Sequence, residues 1–271
     1  MNRQMLLGSD FRTRLITALV GIPAILAAIF IGPPVWTLLV IGTALLCIRE
    51  LQHMIDPNDI INLLAMGLIT LCCFLGIAIQ NYLILAILIV LFFFLRLFQA
   101  QDVADPMHFL RRNFLYPVLG ALYVGLPLSL LLKVRDLNRG ALWTGMAFTS
   151  NWSTDGFALI GGRVAGQHKL APHISPGKTT EGAVIGLAAG FVIGSIVGVV
   201  VGLPLRSVLI INAAVAFLTI LGDLLESWIK RVFEVKDAGT LLPGHGGLMD
   251  RIDGMLLAGP ALLLLLLWLG A

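Results

Sequence analysis

Long apolar segments alternate with short polar connections along the whole chain. A helix that crosses a bilayer needs about 20 mostly apolar residues, and nine segments reach or approach that length. The pattern therefore predicts an all-α integral membrane protein, a polytopic bundle of about nine transmembrane helices. With soft ends, the predicted spans are 13–31, 34–48, 60–79, 82–98, 114–133, 141–162, 182–202, 206–229 and 255–270.

The composition agrees with this prediction. The 271 residues are 58% hydrophobic and only 12% charged, whereas soluble domains carry about 25% charged residues. We interpret the chain as one polytopic domain over 1–271, with apolar helices in 1–110 and the polar motifs in 111–271. The net charge of +3 is too small to indicate nucleic-acid binding. The three cysteines lack the spacing of a zinc site or a disulfide framework.

Lysines and arginines are distributed unevenly between the two predicted sides of the bundle. With the N-terminus in the cytoplasm, 14 of the 18 basic residues fall on the cytoplasmic side. Cytoplasmic connections are enriched in these residues, so we predict a cytoplasmic N-terminus and a C-terminus on the opposite side. The same orientation places the polar connections 163–181 and 230–254 in the cytoplasm, where they would line a polar cavity.

The first polar cluster extends from residue 151 to 182. Asp155 lies inside an apolar span, and a charge in that position is costly enough to indicate function. The stretch "SPGKTTEG" follows at 175–182; its glycines, hydroxyls and lysine are groups that hold phosphate. Thr179 or Thr180 could cap the next helix, whose N-terminus favours an anion. An ordinary loop rich in turn residues is the alternative. A P-loop is not indicated, because the leading glycine and a preceding strand are missing.

The second cluster begins inside the eighth predicted span. Asp223, Glu226 and Lys230 are spaced i, i+3 and i+7 and therefore share one helix face. Such a face must meet a polar cavity or form internal ion pairs. A purely structural ion pair is the alternative to a functional site.

The stretch "KDAGTLLPGHGGLMDRIDG" at 236–254 completes this cluster. Asp250 and Asp253 are three residues apart, so one helical turn would direct both carboxylates the same way. Carboxylates of this kind suit Mg²⁺, which binds one or two of them together with substrate phosphates. Nearby basic side chains can neutralise phosphate charge; they are Lys230, Arg231, Lys236 and Arg251. The combination predicts metal-assisted chemistry on phosphates at the cytoplasmic face, and the chain contains no GxSxG or HExxH motif of a hydrolase.

The segment from Ser227 to Asp253 resembles the signature of the phosphatidate cytidylyltransferases. The shared pattern is Ser, two residues, Lys-Arg, four residues, Lys-Asp, then Pro-Gly-His-Gly-Gly, two residues and Asp-Arg-x-Asp. The block "GGR…G…KL.P.ISPGKT.EG" is similar to the upstream motif of the family. The family commonly has adjacent Asn and Asp before this block, whereas Asn151 and Asp155 are separated here. The resemblance covers about 151–254; the first 110 residues match only as apolar spans.

The resemblance implies transfer of the cytidylyl group of CTP to phosphatidic acid, giving CDP-diacylglycerol and pyrophosphate. It implies Mg²⁺, with a monovalent cation such as K⁺ as the candidate second ion, and a homodimer in the cytoplasmic membrane surrounded by membrane lipids. Asp223, Asp250, Lys230 and Arg251 are the expected catalytic residues. The expected metal ligands are Asp223 and Asp250, with Asp253 and Glu226 as weaker candidates. Expected substrate and phosphate contacts are Asp155, Ser175, Lys178, Thr179, Arg231, Lys236, Asp237, His245, Gly246 and Gly247.

Other classes of membrane protein remain open at this point. In a transporter, Asp155, Asp223 and Glu226 could form an ion or proton path, although a phosphate and metal loop would have no role there. A CTP-dependent polyprenol kinase would use similar groups with another acceptor lipid. A CDP-alcohol phosphotransferase is disfavoured, because its four-aspartate pattern does not occur.

Overall fold

The computed structural model describes residues 9–239, 241 and 246–271. Within these residues the chain is almost entirely helical. The α-helices are α1 Ser9–Ile31, α2 Pro33–Ile55, α3 Ile60–Ile79, α4 Leu83–Gln99, α5 Pro106–Leu110, α6 Tyr116–Asp136, α7 Gly140–Ala165, α8 Thr180–Val200, α9 Leu205–Val232 and α10 Met249–Leu269. A 3-10 turn at Ala100–Asp102 precedes α5, and a π-helical turn at Arg111–Leu115 leads into α6.

Each of the nine predicted spans coincides with one of the long helices, which confirms an all-α membrane protein. In the described part of the chain, six helical segments are long and apolar enough to cross a bilayer. They are Pro33–Ile55, Ile60–Ile79, Pro106–Asp136, Thr180–Val200, Leu205–Val232 and Met249–Leu269. The apolar helices Leu19–Ile31 and Leu83–Gln99 are shorter. Nine membrane crossings therefore remain a prediction, whereas the helical class is established.

Two predicted helix ends were wrong in a way that matters for the site. The second span was predicted to end at residue 48, but α2 continues to Ile55, so Glu50 lies inside the helix. The last span was predicted to begin at residue 255, but α10 begins at Met249. In both cases the apolar pattern stops at charged residues, while the helix includes Glu50 in α2 and Asp250 in α10, whose carboxylates have partners inside the protein.

The connection between α7 and α8 was predicted as a loop and contains a small antiparallel hairpin instead. Strand β1 is Lys169–Ala171 and strand β2 is Ser175–Thr179. The intervening turn closes through a hydrogen bond from the Ile174 N–H to the Ala171 carbonyl (3.1 Å). Thr179 then caps α8 by accepting a hydrogen bond from the Gly182 N–H (3.2 Å), which confirms one of the two predicted caps. The hairpin thus leads directly into the helix N-terminus.

Helices α7 and α8 pack closely because α8 presents a row of buried glycines at four-residue spacing. The row is Gly182, Gly186, Gly190, Gly194 and Gly198. A Cβ on Gly186 would lie 2.7 Å from the Cβ of Ala158, so only glycine allows this approach. Small residues of this kind let helix backbones come together in membranes. The close packing holds the Asp155 segment of α7 beside the hairpin.

The centre of the bundle is formed by α6, α9 and α10, with α2 against α6. Val124 of α6, Val215 of α9 and Leu256 of α10 are fully buried there. This packing brings the C-terminal end of α9 next to the N-terminal end of α10. The two parts of the second polar cluster, one on α9 and one at the start of α10, therefore meet at one place.

Candidate active site

The polar face of α9 is present as predicted from its spacing. Lys230 lies one turn after Glu226, and its ammonium contacts the Glu226 carboxylate at 2.9 Å. Both side chains are buried, with 1% of Glu226 and 11% of Lys230 exposed. Charges at this depth require partners, because transfer of an unpaired ion out of water is very costly.

Asp223, Glu226 and Asp253 form a compact carboxylate group between α9 and α10. Each offers an oxygen, and these oxygens all lie within 4.8 Å of one another. Two ligands on opposite sides of a Mg²⁺ ion are about 4.2 Å apart, since each bond is about 2.1 Å long. Among the residues that the structure describes, the buried Glu226 Oε1 atom has no hydrogen-bond partner. A hard divalent cation would satisfy this oxygen, so the residues fit such an ion.

Asp250 lies beside the carboxylate group and is held by Lys230 and by backbone N–H groups. One carboxylate oxygen contacts the Lys230 ammonium at 2.5 Å. The other accepts hydrogen bonds from the Gly247 N–H (2.9 Å) and the Ala238 N–H (3.4 Å). Lys230 thus joins Asp250 to Glu226. The structure groups the two weaker candidates, Glu226 and Asp253, with Asp223; ligation by Asp250 stays a prediction.

Lys178 connects the hairpin to the acidic face of α9. Its ammonium contacts the Asp223 carboxylate at 2.7 Å. It also donates to the Asp223 carbonyl (2.8 Å) and to the Ser227 hydroxyl (3.1 Å). The residue predicted from the "SPGKTTEG" stretch therefore reaches the second cluster, 45 residues later in the chain. Ser227 was part of the recognised signature but had not been assigned a contact.

Asp155 borders the same group from α7. The charges of Asp223, Lys178 and Arg251 all act on its carboxyl group. Asn151 donates a long hydrogen bond to Asp155 (3.4 Å) and accepts one from the Thr219 hydroxyl of α9 (2.9 Å). Asn151 therefore ties α7 to α9 beside the site, a role that the spacing of Asn151 and Asp155 did not reveal.

The glycines next to Asp250 have conformational and steric roles. Gly246 has a φ of 79°, a backbone conformation that side-chain-bearing residues rarely adopt. A Cβ on Gly246 would lie 3.0 Å from the Asp250 carboxylate, and Gly247 supplies an N–H to that carboxylate. His245, predicted as a substrate contact, lies outside the described residues.

Several predicted contacts lie at the periphery of the carboxylate group. Arg231 is exposed and donates to the Ile174 carbonyl (3.1 Å) and the Val235 carbonyl (3.2 Å), so it supports the hairpin turn. Lys236 and Asp237 are exposed, and Arg251 is exposed on the first turn of α10. Ser175 starts β2, opposite Ala171, and Thr179 serves as the helix cap. Direct roles of these residues in substrate binding remain predictions.

Glu50 is a buried residue of the site region that the sequence did not indicate. It belongs to α2, is 6% exposed, and accepts hydrogen bonds from the Leu248 N–H (2.8 Å) and the Met249 N–H (2.9 Å). The available signal was a glutamate immediately after an apolar segment. Such a residue has the pattern of a polar flank of a span, because the sequence predicts that the helix ends two residues earlier.

Negative charge exceeds positive charge at the junction of α7, α9, α10 and the hairpin. Counting only described residues, five carboxyl groups meet there, and the basic side chains near them are fewer. The carboxyl groups are those of Asp155, Asp223, Glu226, Asp250 and Asp253, and the basic side chains are Lys178, Lys230 and Arg251. Such an arrangement suits one or more bound cations together with the phosphates that those cations bridge.

Comparison with known proteins identifies related sequences across most of the chain. The profile of the cytidylyltransferase family matches residues 12–269. A phosphatidate cytidylyltransferase of Bacillus subtilis (strain 168) is 30% identical over 272 residues, covering 95% of this chain and 98% of the relative. One of Staphylococcus haemolyticus is 30% identical over 94% of this chain and 99% of the relative. One of Brucella abortus is 43% identical over 55% of this chain and 56% of the relative.

Proposed function

The chain belongs to the cytidylyltransferase family, and from this premise we propose that it is a phosphatidate cytidylyltransferase. It transfers the cytidylyl group of CTP to phosphatidic acid and releases pyrophosphate, which yields CDP-diacylglycerol for phospholipid synthesis. Relatives that carry this name match nearly the whole chain. The observation that carries the proposal is the carboxylate group of α9 and α10, paired with lysines from two elements.

The reaction exchanges one phosphoanhydride bond for another. A phosphate oxygen of phosphatidic acid attacks the α-phosphorus of CTP, a new P–O bond forms, and the bond between the α-phosphorus and its bridging oxygen breaks. The phosphate nucleophile is already ionised near neutral pH, so no general base is needed. This agrees with a site of carboxylates and lysines, in which positioning and electrostatic stabilisation supply the rate enhancement.

The lysines have distinct parts in this chemistry. Lys178 lies on the hairpin before α8 and can exchange its contact with Asp223 for a substrate phosphate. Lys230 is held between Glu226 and Asp250, so it maintains the spacing of the acidic groups and places positive charge near the developing pyrophosphate. Both roles depend on ammonium groups that are already in position when the substrate binds, which is how preorganised electrostatic stabilisation operates.

Asp223, Glu226 and Asp253 would hold Mg²⁺, with Asp250 adjacent and K⁺ as the candidate second ion. A bound divalent cation would neutralise negative charge on the nucleotide phosphates. The unsatisfied Glu226 oxygen supports this assignment. The protein's own contribution is to hold these carboxylates together at low exposure, so that a cation and the triphosphate bind in one defined arrangement.

The membrane arrangement follows from charge and hydropathy. We propose about nine crossings, a cytoplasmic N-terminus and a C-terminus on the opposite side of the cytoplasmic membrane, supported by the 14 basic residues on the predicted cytoplasmic side. The site then opens through a polar cavity to the cytoplasm, where CTP is present. Phosphatidic acid reaches it from the surrounding membrane lipids, and the enzyme functions as a homodimer by resemblance to its family.

The position of the transferred phosphate tests this function directly. Purified protein in detergent is incubated with phosphatidic acid, Mg²⁺ and CTP radiolabelled either in the α-phosphate or in the γ-phosphate. We expect the α-label to enter the lipid fraction and the γ-label to appear in pyrophosphate. A lipid kinase would transfer the γ-label to the lipid, and a transporter would transfer neither label; both outcomes contradict the proposal.

Acceptor and residue controls make the assay specific. Diacylglycerol or a polyprenol in place of phosphatidic acid is expected to give no labelled lipid. Asp250→Asn keeps the side-chain shape but removes the charge that pairs with Lys230, and we expect activity to fall by roughly 100-fold or more. Full activity of this variant at equal protein level would show that Asp250 has no part in the chemistry.

A further inference from the structure

Glu50 and the start of α10 are in direct contact although they are 198 residues apart in the chain. The Glu50 carboxylate accepts the N–H groups of Leu248 and Met249 at 2.8 and 2.9 Å. The preceding N–H, that of Gly247, is accepted by Asp250 at 2.9 Å. Three successive N–H groups at the beginning of α10 are therefore held by two carboxylates, and one of these comes from the N-terminal half.

The surroundings of Glu50 are shaped around its carboxylate. Glu50 is 6% exposed, and within the described residues it forms no ion pair with a basic side chain. Its charge is stabilised by the two backbone donors and by the N-terminal end of the helix dipole. A Cβ on Gly239 or Gly247 would lie 2.7 or 2.8 Å from a Glu50 oxygen. The backbone of the signature segment thus encloses this side chain on both sides.

We propose that Glu50 is a positioning residue for the cytidylyl transfer, acting through the N-terminus of α10. By holding the N–H groups of residues 248 and 249, it sets the direction of the first helical turn. That turn places Asp250 against Lys230 and carries Asp253 to the carboxylate group. The effect on kcat rests on the proposed function, whereas the effect on the order of the α10 N-terminus does not.

The comparison of Glu50→Gln with Glu50→Asp tests this role. The glutamine keeps the size of the side chain, but its NH₂ group would face one of the two N–H donors. We expect kcat to fall by roughly 10- to 100-fold, because small displacements of reacting groups have effects of that size. The KM values for CTP and phosphatidic acid should stay within about twofold. Glu50→Asp keeps the charge and should recover part of kcat.

Hydrogen exchange supplies a readout that is independent of activity. The amides of residues 247–249 are expected to exchange faster in Glu50→Gln than in the wild type, since one of their acceptors is lost. In contrast, amides of the α7–α8 pair should be unchanged. If the protein forms no CDP-diacylglycerol at all, the proposed function fails, whereas the exchange result still decides whether Glu50 orders the start of α10.

Asp59→Asn is the matched control. Asp59 is another carboxylate of the N-terminal half; it caps α3 through the Asn62 N–H (2.9 Å) and pairs with the buried Arg96 (2.7 Å). This variant should lower thermal stability while leaving kcat per folded molecule and exchange at 247–249 unchanged. The proposal is overturned if Glu50→Gln loses activity only in proportion to its folded fraction, or if both variants change kcat and exchange alike.

Discussion

Replacement of Lys230 by methionine should destabilise the protein through two buried carboxylates at once. Lys230 contacts Glu226 at 2.9 Å and Asp250 at 2.5 Å, and methionine preserves most of the side-chain volume without the charge. Asp250 keeps its hydrogen bond from Gly247 (2.9 Å). One oxygen of Glu226 already has no hydrogen-bond partner within 9–239, 241 and 246–271, and the substitution removes the Lys230 contact from its other oxygen. Most of the destabilisation should therefore originate at Glu226.

The size of this destabilisation follows from the burial of the Lys230, Glu226 and Asp250 side chains. Their side chains are 11% exposed for Lys230, 1% for Glu226 and 11% for Asp250. Removal of one partner from a buried ion pair costs about 3–5 kcal/mol. At about 2–4 °C per kcal/mol for chains of 150–250 residues, the melting temperature should fall by roughly 6–20 °C.

Thermal unfolding in detergent with EDTA measures this effect without interference from bound cations. A second substitution separates the two carboxylates: Glu226→Gln in the Lys230→Met background should restore more of the melting temperature than Asp250→Asn in the same background. Such coupling between neighbouring residues is what a double-mutant cycle detects. A Lys230→Met protein that melts within 2 °C of the wild type (below the roughly 6 °C expected), or equal rescue by both second substitutions, would refute the reasoning.

Two further predictions concern the cation group and the helix packing. Asp223→Asn should weaken the binding of Mn²⁺ by roughly tenfold or more, because one hard ligand loses its charge. Mn²⁺ serves here as a spectroscopic substitute for Mg²⁺, and its binding is followed by electron paramagnetic resonance. An unchanged affinity would mean that the ion binds elsewhere. Gly186→Leu should lower the melting temperature or prevent folding, since the added Cβ alone would lie 2.7 Å from the Cβ of Ala158. The control Gly156→Leu, on α7, should fold normally, because no atom of the described residues that were compared lies within 4 Å of its added Cβ. Similar behaviour of both leucine variants would contradict the close packing of α7 and α8.

The helices could be predicted from the sequence because a bilayer leaves few alternatives. Backbone groups in hydrocarbon must be satisfied within the segment, so long apolar runs become helices whatever else surrounds them. The shared face of Asp223, Glu226 and Lys230 was also predictable, since it depends only on the helical repeat. The grouping of this face with Asp250 was implied by the family signature, which extends from Ser227 to Asp253.

The contacts of Lys178 and Glu50 depend on how distant elements pack, and the sequence has no local signal for that. Strands of three and five residues with Pro and Gly show no recognisable period, so the hairpin that carries Lys178 was predicted as a loop. Asp250 and Asp253 were expected to point the same way. They contact different groups: Asp250 lies in the first turn of α10 and accepts the Gly247 N–H, next to the N–H groups of Leu248 and Met249 that Glu50 accepts.

The contact between Glu50 and Leu248 also has a consequence for the order of events during translation of the chain. Glu50 leaves the ribosome 198 residues before its partner, and at about 5–20 residues per second this interval is roughly 10–40 s. During that time the glutamate has neither of its α10 donors and must remain hydrated in the inserting chain. Helix α10 is made after α2, α7 and α9 and completes the carboxylate group, so we expect chains truncated before α10 to be inactive however well their earlier helices insert.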